Sequence, residues 1–223
     1  MRSLHTKFIE LFLKSYQQSR LFSMFYSEFT LKKAKRDFGL TTVEAGRFLP
    51  PTQPIEPSSY LRESLIEGLP LATATGSEKA RSELIISPIL VEVRKILQRQ
   101  VSLFSGEDFT VEPELGLSGV CDFLISRSPE QILIEAPAIV IVEAKKADLK
   151  VGLGQCAAEM VAAQKFNEIN NIAIGTIYGS VSSGTAWRFL KLEAKTLTID
   201  LNDYAVPPVE PLLGMLVWMV RDG

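Results

Sequence analysis

The amino-acid sequence predicts an α/β fold in which a mixed sheet is flanked by helices. Apolar positions recur at helical spacing over residues 77–100, which favours an amphipathic helix. After residue 109 the period changes, and short apolar runs alternate with turn residues, as in successive strands. Residues 138–142 are apolar at every position, which is typical of a central strand that is buried on both faces. Together these patterns predict the order α, β, β, β, α, β over residues 77–178, followed by an added C-terminal hairpin and helix.

The boundaries of these elements follow from capping and turn residues. Ser77 suits the N-cap of the first helix, which is expected to run to about Gln100 with a kink at Pro88. The strand, helix and strand that end near residue 178 predict a right-handed crossover. The strands and helices expected after the first helix cover residues 109–113, 119–126, 138–146, 153–167, 171–178, 186–193, 196–201 and 212–220.

Residues 1–58 are predicted to form a helical and extended extension, and residues 59–223 the main domain. Apolar positions at mixed helical spacing favour one or two amphipathic helices over residues 4–26. The segment PPTQPIEPS, residues 50–58, is rich in proline and is expected to be an extended linker. The densest basic cluster, interpreted either as a solvated face or as a patch that contacts phosphates, consists of Lys32, Lys33, Lys35 and Arg36.

The amino-acid composition limits the kinds of catalytic and metal site that the chain can form. The 223 residues are 46% apolar and 22% charged with a net charge of -2, so we expect a globular protein without a uniformly positive surface. Cys121 and Cys156 form neither a CxxC pair nor a disulfide framework, and charges interrupt the N-terminal apolar run, so a cytoplasmic protein without a membrane segment is expected. The single histidine, His5, argues against Ser-His or Cys-His nucleophilic catalysis and against histidine-rich zinc sites. A metal would therefore be held by oxygen ligands, which suit Mg²⁺ or Mn²⁺.

Charged residues interrupt two of the apolar strands. Asp122 lies within VCDFLIS, and Glu143 and Lys145 close IVIVEAKK on one face of their strand, because side chains alternate along a strand. An unpaired buried charge is costly, so these residues must pair, reach solvent or meet a metal. If the two strands are antiparallel neighbours, Asp122 and Glu143 approach and repel each other unless a divalent cation lies between them. Lys145 would then be placed to polarise or position an attacking water.

The segments GVCDFLIS and IVIVEAKK resemble the catalytic strands of the PD-(D/E)XK nuclease superfamily, with Asp122, Glu143 and Lys145 on the signature positions. Residues 77–178 resemble its restriction endonuclease-like core. Within them, SEKARSELIISPIL and GLGQCAAEMVAA are similar to the nuclease domain at the start of type I restriction motor subunits. The resemblance implies hydrolysis of phosphodiester bonds, with DNA as the expected substrate, Mg²⁺ as the cofactor and Mn²⁺ as its substitute. Cys121 replaces the usual proline before the aspartate.

The same resemblance implies a role for each residue. Asp122 and Glu143 would bind the metal, and Gln155 in the following helix would help to position the site. The superfamily also tends to place a glutamate in the first helix. Depth in that helix slightly favours Glu83, whereas the restriction-like pattern favours Glu78. Many such nucleases pair two sites to cut two strands, so a homodimer is one expected assembly.

Three functions remain open at this point. The first is a metal-dependent endonuclease or exonuclease. The second is a non-catalytic member of the same fold that binds nucleic acid or a protein partner. The third is a small α/β interaction protein in which EAKK is only a salt-bridged strand end. Lys146 joins the basic cluster of residues 32–36 as an expected nucleic-acid contact.

Overall fold

The computed structural model describes residues 25–221 and residue 223. An eight-stranded mixed sheet is flanked by helices, which confirms the expected α/β class. The strands are β1 (Thr41–Ala45), β2 (Ser102–Asp108), β3 (Val120–Ser126), β4 (Ala138–Ala144), β5 (Ile177–Ser182), β6 (Ala186–Glu193), β7 (Thr196–Asp200) and β8 (Tyr204–Ala205). The helices are α1 (Leu31–Phe38), α2 (Ser59–Thr75), α3 (Glu78–Arg81), α4 (Ser87–Ile96), α5 (Leu149–Ile169) and α6 (Glu210–Arg221). His5 and nearly all of the helical segment expected over residues 4–26 lie outside the described residues.

The sheet is centred on strands that flank the predicted site. Its order is β1, β7, β6, β5, β4, β3, β2, and β8 pairs with β6. Strands β2, β3 and β4 are antiparallel neighbours, whereas β4 and β5 are parallel and α5 connects them. Every residue of β4 is buried, so the prediction of a strand covered on both faces is confirmed. The expected strand order therefore places the C-terminal end of β4 beside β3, β5 and the start of α5.

Two hydrophobic cores lie on opposite faces of the sheet, because side chains alternate along each strand. Phe123 and Val142 pack in the core that includes α2, α4 and α6. Leu124 and Ile141 pack in the core that includes α1 and α5. Asp122 is two residues from Leu124, and Glu143 is two residues from Ile141. The two-residue period of a strand therefore directs both side chains towards α5.

Two predicted strands are misplaced. The strand expected over residues 109–113 runs instead over Ser102–Asp108, and the chain leaves the sheet for a single 3₁₀ turn at Pro113–Leu115. Gly106 has a φ of 68° inside this strand, so its glycine imitates a turn signal. The strand expected over residues 171–178 begins only at Ile177, while the hairpin and the closing helix after it are confirmed as β6, β7 and α6.

The helix expected over residues 77–100 is α3, a π turn over Ser82–Ile86, and α4. Ser77 is its N-cap, as predicted, because Ser77 Oγ accepts a hydrogen bond from the Ala80 N–H at 3.1 Å. Regular α-helix ends at Ile96, a few residues before the expected end. The cap fixes the first turn, which carries Glu78.

Pro88 explains the π turn. A proline lacks the N–H that would bond the carbonyl four residues earlier, which here belongs to Leu84. The helical turn before Pro88 is one residue wider than in an α-helix, and the Ser87 N–H donates to the carbonyl of Ser82, five residues earlier. Gly68 of α2 lets the Leu84 carbonyl approach, since a Cβ at residue 68 would lie 2.4 Å from Leu84 O. A π turn therefore precedes Pro88, where a kink was expected, and Gly68 of α2 leaves room for it.

The N-terminal part shares the sheet with the rest of the chain. β1 pairs in parallel with β7 at one edge, and α1 packs on α5. Gly154 permits this packing, because a Cβ there would lie 2.2 Å from Phe29 O. A division between residues 1–58 and 59–223 stays a prediction. Among the described residues, none of the helices combines the length and the apolar character needed to cross a membrane.

Candidate active site

The predicted site residues meet at the C-terminal end of β4. Asp122 of β3 accepts a hydrogen bond from the Ala144 N–H through Oδ2 at 2.8 Å, which ties β3 to the end of β4. Glu143 Oε1 accepts from Lys145 Nζ, and Glu143 Oε2 accepts from Gln155 Nε2 at 2.9 Å. Strand pairing and the crossover thus bring Asp122, Glu143, Lys145 and Gln155 into one cluster.

The path of Lys145 is fixed by its neighbours. Its N–H donates to the Ser182 carbonyl of β5 at 2.7 Å, directly after β4 ends. Gly152 of α5 leaves room for its side chain, because a Cβ at residue 152 would lie 3.0 Å from Lys145 Cγ and 2.6 Å from Val181 Cγ1. The Lys145 side chain is only 15% exposed. The ammonium is therefore held at the site rather than free in solvent.

The structure brings Glu78, and not Glu83, to this ammonium. Glu78 Oε1 lies 3.9 Å from Lys145 Nζ. Glu83 Oε1 lies 2.8 Å from Lys79 Nζ on the surface, because residues five apart on a helix differ by well over a quarter turn. Both glutamates line a cleft of about 380 Å³ together with Asp122. The geometry therefore favours Glu78, against the slight preference for Glu83 that helix depth suggested.

The charges of the cluster perturb one another. Burial raises the pKa of Glu143 to about 8, Asp122 and Glu78 also raise it, and Lys145 opposes them. Burial alone would lower the pKa of Lys145, but the negative charges of Glu143, Glu78 and Asp122 raise it above its usual value. Lys145 therefore remains protonated and is the cation around which these three carboxyls gather.

Glu159 belongs to the site but was not predicted as a site residue. It lies one turn after Gln155 on α5, and its Oε1 accepts from Gln155 Nε2 at 3.1 Å. Burial raises the pKa of Glu159 well above its usual range, and Glu143 adds to the effect, which favours the neutral acid. The i, i+4 spacing from Gln155 is the sequence signal that points to it. Its burial depends on tertiary packing and has no such signal.

The donor atoms suit a hard cation, but they do not form a ready metal cage. Asp122, Glu143 and Glu78 offer carboxylate oxygens, the ligands that Mg²⁺ prefers. Across residues 25–221 and 223, no group of three or more His, Cys, Asp or Glu side chains is arranged to hold an ion. Lys145 contacts both Glu143 and Glu78. Burial is the main cause of the raised pKa of Glu143, and repulsion from Asp122 and Glu78 adds to it. A divalent cation would offset that repulsion, so the residues fit such an ion chemically.

The basic cluster lies on α1, and three of its four side chains form ion pairs or hydrogen bonds with other residues of the protein. Lys33 and Arg36 both pair with Asp37, at 2.8 and 2.7 Å. Lys35 donates to a threonine hydroxyl of β1 at 2.6 Å. Lys146 is exposed directly after the site lysine. The residues predicted to contact nucleic acid on this helix are Lys32, Lys33, Lys35 and Arg36.

Asp122 and Glu78 line an acidic cleft, and the Lys145 ammonium lies 3.9 Å from Glu78 Oε1. The Gln155 amide is held by its hydrogen bond to Glu143. The Lys145 ammonium can donate a hydrogen bond to a water or to an anionic oxygen in the cleft, and Asp122 and Glu78 can accept from that water. Such a set suits the activation of water beside a negatively charged group.

Comparison of the chain with models of protein families, with curated proteins and with solved structures found no match.

Proposed function

We propose that this protein is a Mg²⁺-dependent nuclease of the PD-(D/E)XK type that hydrolyses phosphodiester bonds of DNA. The observation that carries the proposal is the meeting of Asp122, Glu143, Lys145 and Gln155 at one end of β4. The order α4, β2, β3, β4, α5, β5 supports a restriction endonuclease-like core. A cytoplasmic location and a homodimer that pairs two sites belong to the same proposal.

Each residue then has a chemical task. Asp122, Glu143 and Glu78 would hold Mg²⁺, which supplies Lewis acidity and offsets negative charge on the scissile phosphate when bound. Lys145 donates to the attacking water and orients it, since its raised pKa keeps it a hydrogen-bond donor. The water oxygen bonds to phosphorus as the phosphorus–oxygen ester bond breaks, and the water's proton ends on the leaving oxygen. Gln155 keeps Glu143 oriented through its amide.

The test is cleavage of single-stranded, duplex and branched DNA with Mg²⁺ or Mn²⁺. Lys145→Ala and Asp122→Asn are expected to lower the rate by about 100-fold or more, because each removes a group that acts on the reacting atoms. Lys150→Ala changes an exposed lysine at the start of α5 and serves as the matched control, with an unchanged rate. Cleavage that persists in a chelator, or in Lys145→Ala, would contradict the proposal.

A non-catalytic member of the same fold, which binds nucleic acid or a protein partner, is the second candidate. The observation that favours it is the direct contact of Lys145 with Glu143 and Glu78, where a metal-dependent nuclease would need ligand oxygens. The two candidates differ in their response to Mg²⁺. A nuclease is expected to show a rise in melting temperature with Mg²⁺ that is smaller in Glu143→Gln, because only a bound ligand stabilises the folded state. A binding protein is expected to retain DNA or partner binding in Asp122→Asn and to show no such rise.

A further inference from the structure

The carboxyl of Glu159 lies beneath the site and shares the amide of Gln155 with Glu143. Gln155 Nε2 donates to Glu159 Oε1 at 3.1 Å and to Glu143 Oε2 at 2.9 Å. A carboxamide nitrogen carries two hydrogens, so one is used for each carboxyl. Because nitrogen and oxygen lie on opposite branches of the planar amide, Gln155 Oε1 is turned away from both carboxyls.

Folding alone does not explain a glutamate at this position. Glu159 is 0% exposed, and its Oε2 has no hydrogen-bond partner among the residues that the structure describes. Nearby polar groups are engaged elsewhere: the Tyr26 hydroxyl donates to Phe109 O, and the Cys156 thiol donates to Ser180 O at 3.7 Å. Buried polar atoms in folded proteins almost always have a partner, so an apolar side chain would be the less costly choice here.

We infer that Glu159 is a positioning residue, whose Oε1 fixes the Gln155 amide so that its nitrogen faces Glu143 and its oxygen is available to water in the site. The inference rests on the proposed function, because it gives Gln155 a definite orientation in that site. The terminal torsion of a glutamine is broad, so without this acceptor the amide can turn over. The hydrogen bond from Gln155 Nε2 to Glu143 Oε2 would then be lost. Burial raises the pKa of Glu159, and a neutral carboxyl still accepts through its carbonyl oxygen.

The direct test is the proton–nitrogen NMR spectrum of the Gln155 side chain in the metal-free protein. Both amide protons of Gln155 are expected to exchange with water about tenfold more slowly than those of Gln164, which lines a surface cleft on the same helix. In Glu159→Leu, both protons are expected to lose about tenfold of their protection, the first because its acceptor is gone and the second because the released amide turns away from Glu143. The signal is assigned by its loss in Gln155→Ala.

Two variants separate positioning from packing. Glu159→Gln keeps an oxygen acceptor in the same shape, so the Gln155 signals and the cleavage rate are expected to stay within about twofold of wild type. Glu159→Leu keeps the site buried but removes the acceptor, so kcat is expected to fall about tenfold with less change in KM. Its melting temperature is expected to be equal to or above that of wild type, because an unpartnered oxygen is removed. Glu168→Leu, at an exposed position of the same helix, is the control and should leave the Gln155 signals unchanged.

The outcomes distinguish this inference from the proposed function. Equal protection of both Gln155 protons in wild type and Glu159→Leu overturns the inference, whether or not the protein cleaves DNA. A fall in melting temperature and rate together in Glu159→Leu, with unchanged Gln155 signals, also overturns it and leaves Glu159 a packing residue. If wild type cleaves no DNA but Gln155 loses protection in Glu159→Leu, the proposed function fails and the positioning of Gln155 stands.

Discussion

Two carboxyls of the protein, Glu159 under the site and Asp200 at the end of β7, are equally buried but differently partnered. Both are 0% exposed. Asp200 accepts from the N–H and the side-chain amide of Asn202, each at 2.9 Å, and from the Tyr204 hydroxyl at 2.7 Å. Within the described part of the chain, Glu159 accepts only from Gln155, and its Oε2 has no partner. A buried carboxyl with all its bonds stabilises a turn, whereas one without them weakens the fold and is kept for the site.

The same difference extends to the residues around each carboxyl. Around Asp200 the groups are donors, so the cluster needs no further partner. Around Glu143, burial and the carboxyls of Asp122 and Glu78 raise its pKa and the Lys145 ammonium opposes them, while the Gln155 amide donates to Glu143 Oε2. Hydrogen-bond donors therefore balance the charge of Asp200 in its turn. In the site, Asp122 and Glu78 repel Glu143, and a bound cation would reduce that repulsion.

The largest expected effect is a loss of stability with rising pH in the metal-free protein. The pKa of Glu143 is raised from 4.5 in the unfolded chain to about 8, so between these values the folded state binds a proton that the unfolded state has lost. The contribution of Glu143 to stability is therefore fully present below pH 4.5 and is lost as pH rises to about 8. At about 1.4 kcal/mol per pKa unit, the fall amounts to roughly 5 kcal/mol. Urea unfolding across this range, with a chelator present, measures it.

Glu143→Gln is the matched variant for this titration. It is expected to flatten the curve without abolishing the slope, because Glu159 also has a raised pKa and acts in the same direction. A wild-type curve that rises over the same range, or that coincides with the Glu143→Gln curve, would show that the pKa of Glu143 is not raised in the folded protein.

The second expected effect is the loss of stability when the fully hydrogen-bonded carboxyl, that of Asp200, is removed. Asp200→Ala should lower the free energy of unfolding by about 3 kcal/mol, because the donors of Asn202 and Tyr204 lose their acceptor inside the protein. Asp203→Ala, which removes an exposed partner of Arg188, should cost about 1 kcal/mol or less. Urea unfolding at one pH compares the two variants. If Asp200→Ala is no more costly than Glu159→Leu, the contrast between the two carboxyls does not hold.

Sequence patterns predicted those parts of the site that depend on local period and strand pairing. Gln155 was expected in the site from the family resemblance, and it lies beside Glu143 in the structure. The apolar run of β4 and the alternation along β3 predicted that Glu143 and Lys145 share one face and that Asp122 approaches Glu143 if the two strands pair. These inferences need only neighbouring strands and the side-chain period. The choice between Glu78 and Glu83 needed the orientation of a helix, which no local period supplies.

Small residues account for most of what the patterns missed. Gly106 lies inside β2 although glycine is typical of turns. In β5, Gly179 and the serines that follow it interrupt the apolar pattern by which a strand is predicted. The reason for Gly179 lies in α5: a Cβ there would lie 2.4 Å from Met160 Sδ and 2.8 Å from Cys156 Sγ. Such a requirement exists only once the helix has packed on the sheet. The full burial of Glu159 is hidden from the sequence for the same reason.

The third expected effect compares a glycine in the site with one outside it. Gly152→Ala should destabilise the protein by about 1–2 kcal/mol, because the added Cβ meets Val181 Cγ1 and the Lys145 side chain. Cleavage should fall further than the loss of folded protein explains, since Lys145 is displaced. Gly175→Ala, where an added Cβ would have no atom of the described residues within 4 Å, should be neutral or stabilising by up to about 1 kcal/mol. A Gly152→Ala protein with normal specific activity would show that the path of Lys145 does not matter.

The smallest expected effect concerns the basic helix, where a surface carboxylate restrains two cations. Hydrogen bonds from Arg36 and Lys33 lower the pKa of Asp37, so the carboxylate is ionised and occupies both side chains. Asp37→Asn should release them and tighten DNA binding about twofold to threefold at low salt, with a steeper salt dependence, if α1 contacts phosphates. Anisotropy of labelled DNA at two salt concentrations measures this. Asp203→Asn removes the same charge beside Arg188, so an equal gain in both variants would reflect net charge alone and leave α1 without a specific role.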